Sequence, residues 1–364
     1  MIDILSRVPA ECLINSARYV CKPWATLIAS SHFADAHVRH AHASSSQLIS
    51  LVVADFAMTT EKYCLYSLYT KDKYRTDFRL PTRMMRYSAL VNSCDGIMLM
   101  LCFDDTTGCF VVNPVLKCWL SLPPLPAPID LVCDSDLAIV RVPRSTAKFK
   151  VFLLIPNVVY VLTIGIDISW REIYRKEANV SIDFYHAVCS GANDLYWIRR
   201  DGVTGIDIDK EIITWKYPLP SLPNGFFVNY LCMGNHLSCV LNLNQNTKTS
   251  FGKAKIYILD TDIGKWSLFH EMGPFDFVPA FDCEHYDAIV SRFCFWIKEQ
   301  LIFRASLNPI RKEGEEEIKG HDRYVYFSYN VKTRKATKIE GIDENLRHMY
   351  LHTSSLVSLP TTLT

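Results

Sequence analysis

The sequence predicts a mainly β protein carrying a small helical head, and three observations support that. Apolar residues near the N-terminus recur at steps of three and four. Beyond residue 47 that spacing gives way to short apolar runs broken by turn residues. Within those runs, one strand–turn–Trp pattern returns at a near-constant interval.

The head covers residues 1–38. Leu5, Val8, Leu13, Ala17, Val20, Cys21, Trp24, Leu27 and Ile28 fall on one helical face. Pro9 stands where a second helix begins, a position that tolerates its missing N–H. Pro23 falls in the first turn of a third helix. Three short helices are expected. So short a segment cannot bury its apolar stripe alone, which must pack on the next domain or on a partner.

Ala41-His42-Ala43-Ser44-Ser45-Ser46 is small and polar, and the stretch 39–47 reads as a linker. His32, His37, His40 and His42 invite a metal reading. No cysteine lies among them and their spacing fits no standard zinc pattern, so they read as a solvated helix end.

Residues 48–360 carry the repeat. An apolar strand runs into an Asn or Asp turn, then an aromatic, then Leu or Leu-Pro. Asn113 precedes Trp119, Asp209 precedes Trp215 and Asp260 precedes Trp266 by the same six residues. Val159–Leu162 with Trp170, Tyr326–Asn330 with Ala336, and Tyr66–Tyr69 with Phe78–Pro81 are weaker copies. From Trp119 to Trp170, Trp215 and Trp266 the steps are 51, 45 and 51 residues, the period of a propeller blade. A second motif, a tight turn entering an apolar strand, recurs as Asn92–Leu99, Cys189–Trp197 and Met233–Ser238. Strands such as Val151–Ile155 and Ile256–Leu259 are apolar on both faces, as stacked sheets require. The copies imply about six blades, with Leu48–Val53 and Ser355–Leu359 sharing the closing blade. An irregular double sandwich is the alternative. Trp119, Trp215 and Trp266 read as blade core.

Two resemblances follow. Ile4-Leu5-Ser6-Arg7-Val8-Pro9, Leu13, Tyr19-Val20-Cys21-Lys22-Pro23-Trp24-Ala25-Thr26-Leu27-Ile28 and Ser30-Ser31-His32-Phe33 together resemble a plant F-box. Cys94-Asp95-Gly96-Ile97, Asn113-Pro114 with Trp119 and Leu122-Pro123-Pro124, and Ile256–Asp260 with Trp266 resemble the F-box-associated, kelch-like β-propeller domain of the same proteins. With only 14 glycines, the double glycines of regular kelch blades are absent.

The resemblance implies a substrate-recognition subunit of an SCF ubiquitin ligase. Leu5, Val8, Pro9, Leu13, Val20, Cys21, Trp24 and Leu27 would form the core and the face for a Skp-type adaptor, and through it for cullin. Propeller loops would hold a target protein. The family pattern opens with a Leu-Pro-acidic segment that would precede Met1. Each missing aliphatic contact would cost about 1.5–3 kcal/mol, so either the start is misassigned or the F-box is weakened. Two alternatives stay open: a non-ligase interaction propeller with a decayed F-box, and a propeller that binds carbohydrate or another small ligand.

Composition excludes other classes. Thirty-nine basic against 38 acidic residues give a net charge of +1, without the basic field of a nucleic-acid binder. Val151–Ile166 is the most apolar uncharged run, shorter than a membrane span and broken by Pro156-Asn157. Asp3, Arg7 and Glu11 interrupt any signal peptide. Thirteen scattered cysteines without CxxC fit free thiols in a reducing cytoplasm or nucleus. No G-x-S-x-G, phosphate-binding Gly loop or H-E-x-x-H is present, so no catalytic residue, cofactor or metal is expected. Asp104-Asp105 and the Arg311–Lys319 charge run read as solvated loops.

Overall fold

Backbone polar groups need partners wherever the chain is buried, and here short helices followed by hairpins supply them. A computed structural model describes residues 1–43, 49–54, 63–67, 73–75, 88–102, 108–127, 132, 136–143, 148–155, 157–175, 186–189, 193–199, 201–221, 227–243, 254–273, 286–309, 323–342 and 348–360. Phe78–Pro81, Asp104-Asp105 and the 311–319 charge run lie outside the described residues.

The head comprises α1 (Ile2–Leu5), α2 (Ala10–Asn15), a 3-10 turn (Ala17–Tyr19), α3 (Lys22–Ile28) and α4 (Ser31–Ala43). Four α-helices and a 3-10 turn thus replace the three helices expected. Ser16, at φ −136° and ψ −58°, leaves helical geometry and divides the second segment. Ser30 starts the fourth helix, its Oγ accepting from the Phe33 N–H at 3.2 Å. Helix α4 then runs through Ala43, into the stretch expected as a linker. No Gly or Pro in Val38–Ala43 stops it. Pro9 and Pro23 sit as expected, the first as N-cap of α2 and the second in the first turn of α3.

The described strands form six four-stranded antiparallel sheets. β1 (Ile49–Ala54), β2 (Tyr63–Ser67) and β3 (Lys73–Arg75) open the first. β4 (Ser88–Cys94), β5 (Ile97–Cys102), β6 (Cys109–Asn113) and β7 (Cys118–Ser121) make the second. The third holds β8 (Leu137–Arg141), β9 (Phe149–Ile155), β10 (Val158–Thr163) and β11 (Arg171–Arg175). The fourth holds β12 (His186–Cys189), β13 (Asp194–Arg199), β14 (Gly202–Asp207) and β15 (Ile212–Tyr217). The fifth holds β16 (Phe227–Met233), β17 (His236–Asn242), β18 (Ala254–Asp260) and β19 (Lys265–Met272). The sixth holds β20 (Tyr286–Ile297), β21 (Gln300–Pro309), β22 (Arg323–Asn330) and β23 (Lys335–Lys338). β24 (His348–Thr353) returns to complete the first.

The leading strands β4, β8, β12, β16, β20 and β24 touch one another in succession around a ring. The protein is mainly β, a propeller with short N-terminal helices. Closure differs in detail from the expectation. β1 pairs with β24, Leu51 opposite Leu351, rather than with Ser355–Leu359. The later segment, equally apolar, does another job described below.

Both faces of a sheet are buried, as the unbroken apolar runs require. On β5 and β6, Leu99, Leu101 and Val111 join one core while Met98, Met100, Phe110 and Val112 join another. The Asn/Asp repeat is a turn device. Asn113, Asp207, Asp260 and Asn330 each end the third strand of a sheet, and each side-chain oxygen accepts from the N–H groups two and three residues on. Four residues after each, Lys117, Glu211, Gly264 and Arg334 have positive φ. In the fourth sheet the turn residue is therefore Asp207, not Asp209. Trp215 lies two residues beyond the position that Trp119 and Trp266 hold after their turns; Ile213 stands there, opposite Ile206.

Trp119 and Trp266 are not blade core either, and the Trp215 side chain lies outside the described residues. Trp119 is 40% exposed. The Trp170 Nε1–H donates to the Pro123 carbonyl at 3.1 Å, and the Trp266 Nε1–H to that of Pro218 at 2.8 Å. Each ties one sheet to the Leu-Pro end of the sheet before it. The deeply buried indoles are Trp197 and Trp296.

His352 of β24 is almost fully buried, with Nδ1 3.0 Å from the Ser93 Oγ on β4. Burial pushes its pKa down from 6.5 to about 4. The folded protein holds this ring neutral, so stability is full above pH 6.5 and falls as pH drops towards 4. Acidification across that window is expected to cost roughly 3 kcal/mol from this group. Chemical denaturation at pH 7 and 4.5 checks it, and a His352→Gln variant should show a flatter dependence.

Candidate functional site

The head does not hang free. Leu5, Ala10, Leu13, Ile28, Phe33, Ala34 and Val38 share one core cluster with Ile97, Leu99, Val111, Ile139 and Val151 of the second and third sheets. Leu356, Val357 and Leu359 belong to the same cluster. The segment after β24 is thus a strap lying between head and sheets. The Asn113 side-chain amide donates to the carbonyls of Ser355 at 3.1 Å and Val357 at 2.8 Å. Gly96, at φ +83°, lets the strap pass: a Cβ there would overlap the Ser355 side chain and the Thr353 carbonyl.

Charge fixes the same junction. Arg141 at the end of β8 reaches Asp35 of α4 at 2.7 Å and Asp95 of the β4–β5 turn at 3.2 Å, with all three side chains mostly buried. The Ser354 hydroxyl donates to Glu11 at 2.5 Å. Inside the head, the His37 Nε2 donates to the Val8 carbonyl at 2.9 Å. Desolvation lowers the His37 pKa, against the opposing pull of that hydrogen bond and of Glu11.

This arrangement divides the eight residues expected at an adaptor face. Leu5 and Leu13 are buried in the junction core. Val8, Trp24 and Leu27 are half-buried against it. Pro9, Val20 and Cys21 face outward. Two residues outside the stripe, Ile4 and Tyr19, are each 71% exposed, with Val20 at 65%. Tyr19, Val20 and Cys21 are consecutive in the bend between the 3-10 turn and α3. The Arg18 guanidinium stacks over the Tyr19 ring at 5.0 Å. Ile4 is out of phase with the stripe, and Tyr19 lies in a turn without helical periodicity. A large apolar residue off the buried phase was the available signal.

Other chemistry is sparse. No group of three or more His, Cys, Asp or Glu among the described residues is placed to hold a metal ion. The described cysteines are free thiols. No helix among the described residues is long and apolar enough to cross a membrane.

No protein-family model matches the chain. The chain is 31% identical to an F-box/kelch-repeat protein of Arabidopsis thaliana over 386 residues, covering 97% of this chain and 86% of that one. It is 28% identical over 118 residues to an F-box protein of the same plant, covering 31% and 27%. Among solved structures it aligns with a periplasmic gluconolactonase of Pseudomonas aeruginosa at 10% identity and TM-score 0.43, covering 86% of this chain and 99% of that one. It also aligns with a dihydro-heme d1 dehydrogenase at 10% identity and TM-score 0.37, covering 86% and 77%. Likenesses this loose carry no argument. The full-length match to the Arabidopsis relative, together with the helical head and the propeller, does: the chain belongs to the family of F-box/kelch-repeat proteins.

Proposed function

We propose that this chain is the substrate-recognition subunit of an SCF-type ubiquitin ligase. The head docks a Skp-type adaptor, and through it cullin, while propeller loops hold a target protein in the cytoplasm or nucleus. The chain itself supplies binding and proximity rather than a reacting group. In this reading each four-stranded sheet is one blade, six in all. Residues 1–43 act as the F-box and the strands from β1 onward as the receptor.

The observation that carries the reading is the outward apolar bend Tyr19-Val20-Cys21 on a head whose inner face is already covered. Aromatic and aliphatic side chains exposed to this degree beside a stacked arginine suit a protein partner. Pro9, Val20 and Cys21, with Ile4 and Tyr19, form the adaptor contact. Leu5 and Leu13 hold the head in place, and Val8, Trp24 and Leu27 support it from the half-buried layer.

Titration against a plant Skp-type adaptor tests this. Val20→Asp and Tyr19→Ala, both at the surface, are each expected to weaken binding about tenfold or more with unchanged thermal stability. Leu13→Ala is expected to lower stability by about 2–5 kcal/mol instead. An adaptor that does not bind, or that binds Val20→Asp as well as wild type, would overturn the assignment and leave a free-standing interaction propeller.

A further inference from the structure

The sixth sheet places two arginines side by side. Arg292 of β20 stands directly opposite Arg304 of β21, and Arg304 directly opposite Tyr326 of β22. Directly opposed residues of antiparallel strands share one face, so the three side chains form a row. Like charges in such a pair repel and weaken a sheet. The register of β20 slips on both sides of Arg292, between Val290 and Arg292 and again between Phe293 and Phe295. Bulges of this kind re-aim side chains.

The row opens into a cavity of about 200 Å³, far more than the roughly 10–15 Å³ that one water needs. Asn92 and Ser93 of β4 and Tyr350 of β24 line its other walls. Both arginines belong to the lining, and among the described residues no carboxylate does. Arg292 is exposed and forms no ion pair among the described residues. Arg304 is held by stacking over the Tyr324 ring at 4.4 Å, which fixes its direction before any ligand arrives. Two guanidiniums, an amide and hydroxyls around one open space make a donor-rich, positively charged pocket. Planar guanidinium forks match the oxygens of a phosphate group.

We propose that this cavity, between the sixth, first and second sheets, binds a small phosphate-type oxyanion, which relieves the Arg292–Arg304 repulsion and braces the sheets around it. The site is independent of the adaptor surface.

The test uses the full chain and inorganic phosphate, with chloride at matched ionic strength as control and citrate as a carboxylate probe. Calorimetric titration with phosphate is expected to show one saturable site, and phosphate to raise Tm above the chloride control. Arg292→Gln is expected to lose at least about tenfold in phosphate affinity, as when a charged hydrogen-bond donor is removed. It should also be slightly more stable than wild type without phosphate, because the like-charge pair is gone. Arg304→Gln should lose affinity similarly, but its stacking on Tyr324 makes Arg292→Gln the deciding variant. Equal phosphate affinity in wild type and Arg292→Gln, or no saturable binding, would overturn the proposal. So would citrate binding more tightly than phosphate.

Discussion

Arg141→Met is expected to destabilise the protein by about 3–5 kcal/mol, the usual cost of removing one partner from a buried ion group. Asp35 and Asp95 are both nearly inaccessible to water and both lie on Arg141. Without the guanidinium, two carboxylates face each other across the junction of α4 and the β4–β5 turn. The loss is therefore expected to concentrate at the head. Urea unfolding gives the total. Limited proteolysis gives the location, with cleavage between head and sheets appearing before cleavage within the sheets. A paired Arg141→Met, Asp35→Asn variant should recover part of the loss, since it removes one of the stranded charges. Additive effects of the two substitutions would refute the coupling.

Asn113→Ala is the second large effect, at about 3 kcal/mol. One side chain serves two structures: its oxygen closes the β6–β7 turn on Val115 and Leu116, and its amide holds the strap at Ser355 and Val357. Truncation leaves buried carbonyls without donors, each costing about 1–3 kcal/mol. Asn113→Asp separates the two roles. The carboxylate still accepts in the turn but cannot donate to the strap, and it brings a charge against two carbonyls. Thermal unfolding should rank wild type above both variants, with proteolysis of the C-terminal strap enhanced in each. A strap equally protected in Asn113→Asp would show that the turn alone matters.

Much of this fold was legible because its repeating signals are local. An Asn or Asp that folds back on the next two N–H groups leaves the same mark in sequence wherever it occurs, and so does Asp95-Gly96 with both φ values positive. What sequence spacing could not separate was a coincidence of counting. Asp209 lies six residues before Trp215, but β14 ends at Asp207, whose carboxylate accepts from the Asp209 and Lys210 N–H groups and so closes the turn. Trp266 was misread for a related reason. Its partner, Pro218, sits in the preceding sheet, 48 residues away, where no periodicity reports a contact. The strap was found as an apolar segment and assigned the wrong task, since an extended run looks alike whether it pairs with a strand or lies across turns. At the candidate site, the stripe identified Leu5, Leu13 and Ile28, which the head buries, but also took in Val20 and Cys21, which face outward. The exposed Tyr19 and Ile4 became visible only once the inner face was assigned to the sheets.

The pairing of β1 with β24 has a consequence for synthesis. β1 leaves the ribosome first among the strands, and its partner follows about 300 residues later. At 5–20 residues per second, translation leaves that interval at roughly 15–60 s. Throughout it, β1 presents an unpaired edge, a ready template for wrong pairing. A message truncated before codon 348 would yield a chain whose ring can never close, however well its middle sheets fold. Ring closure is thus tied to synthesis of β24, because that strand removes the edge that β1 exposes.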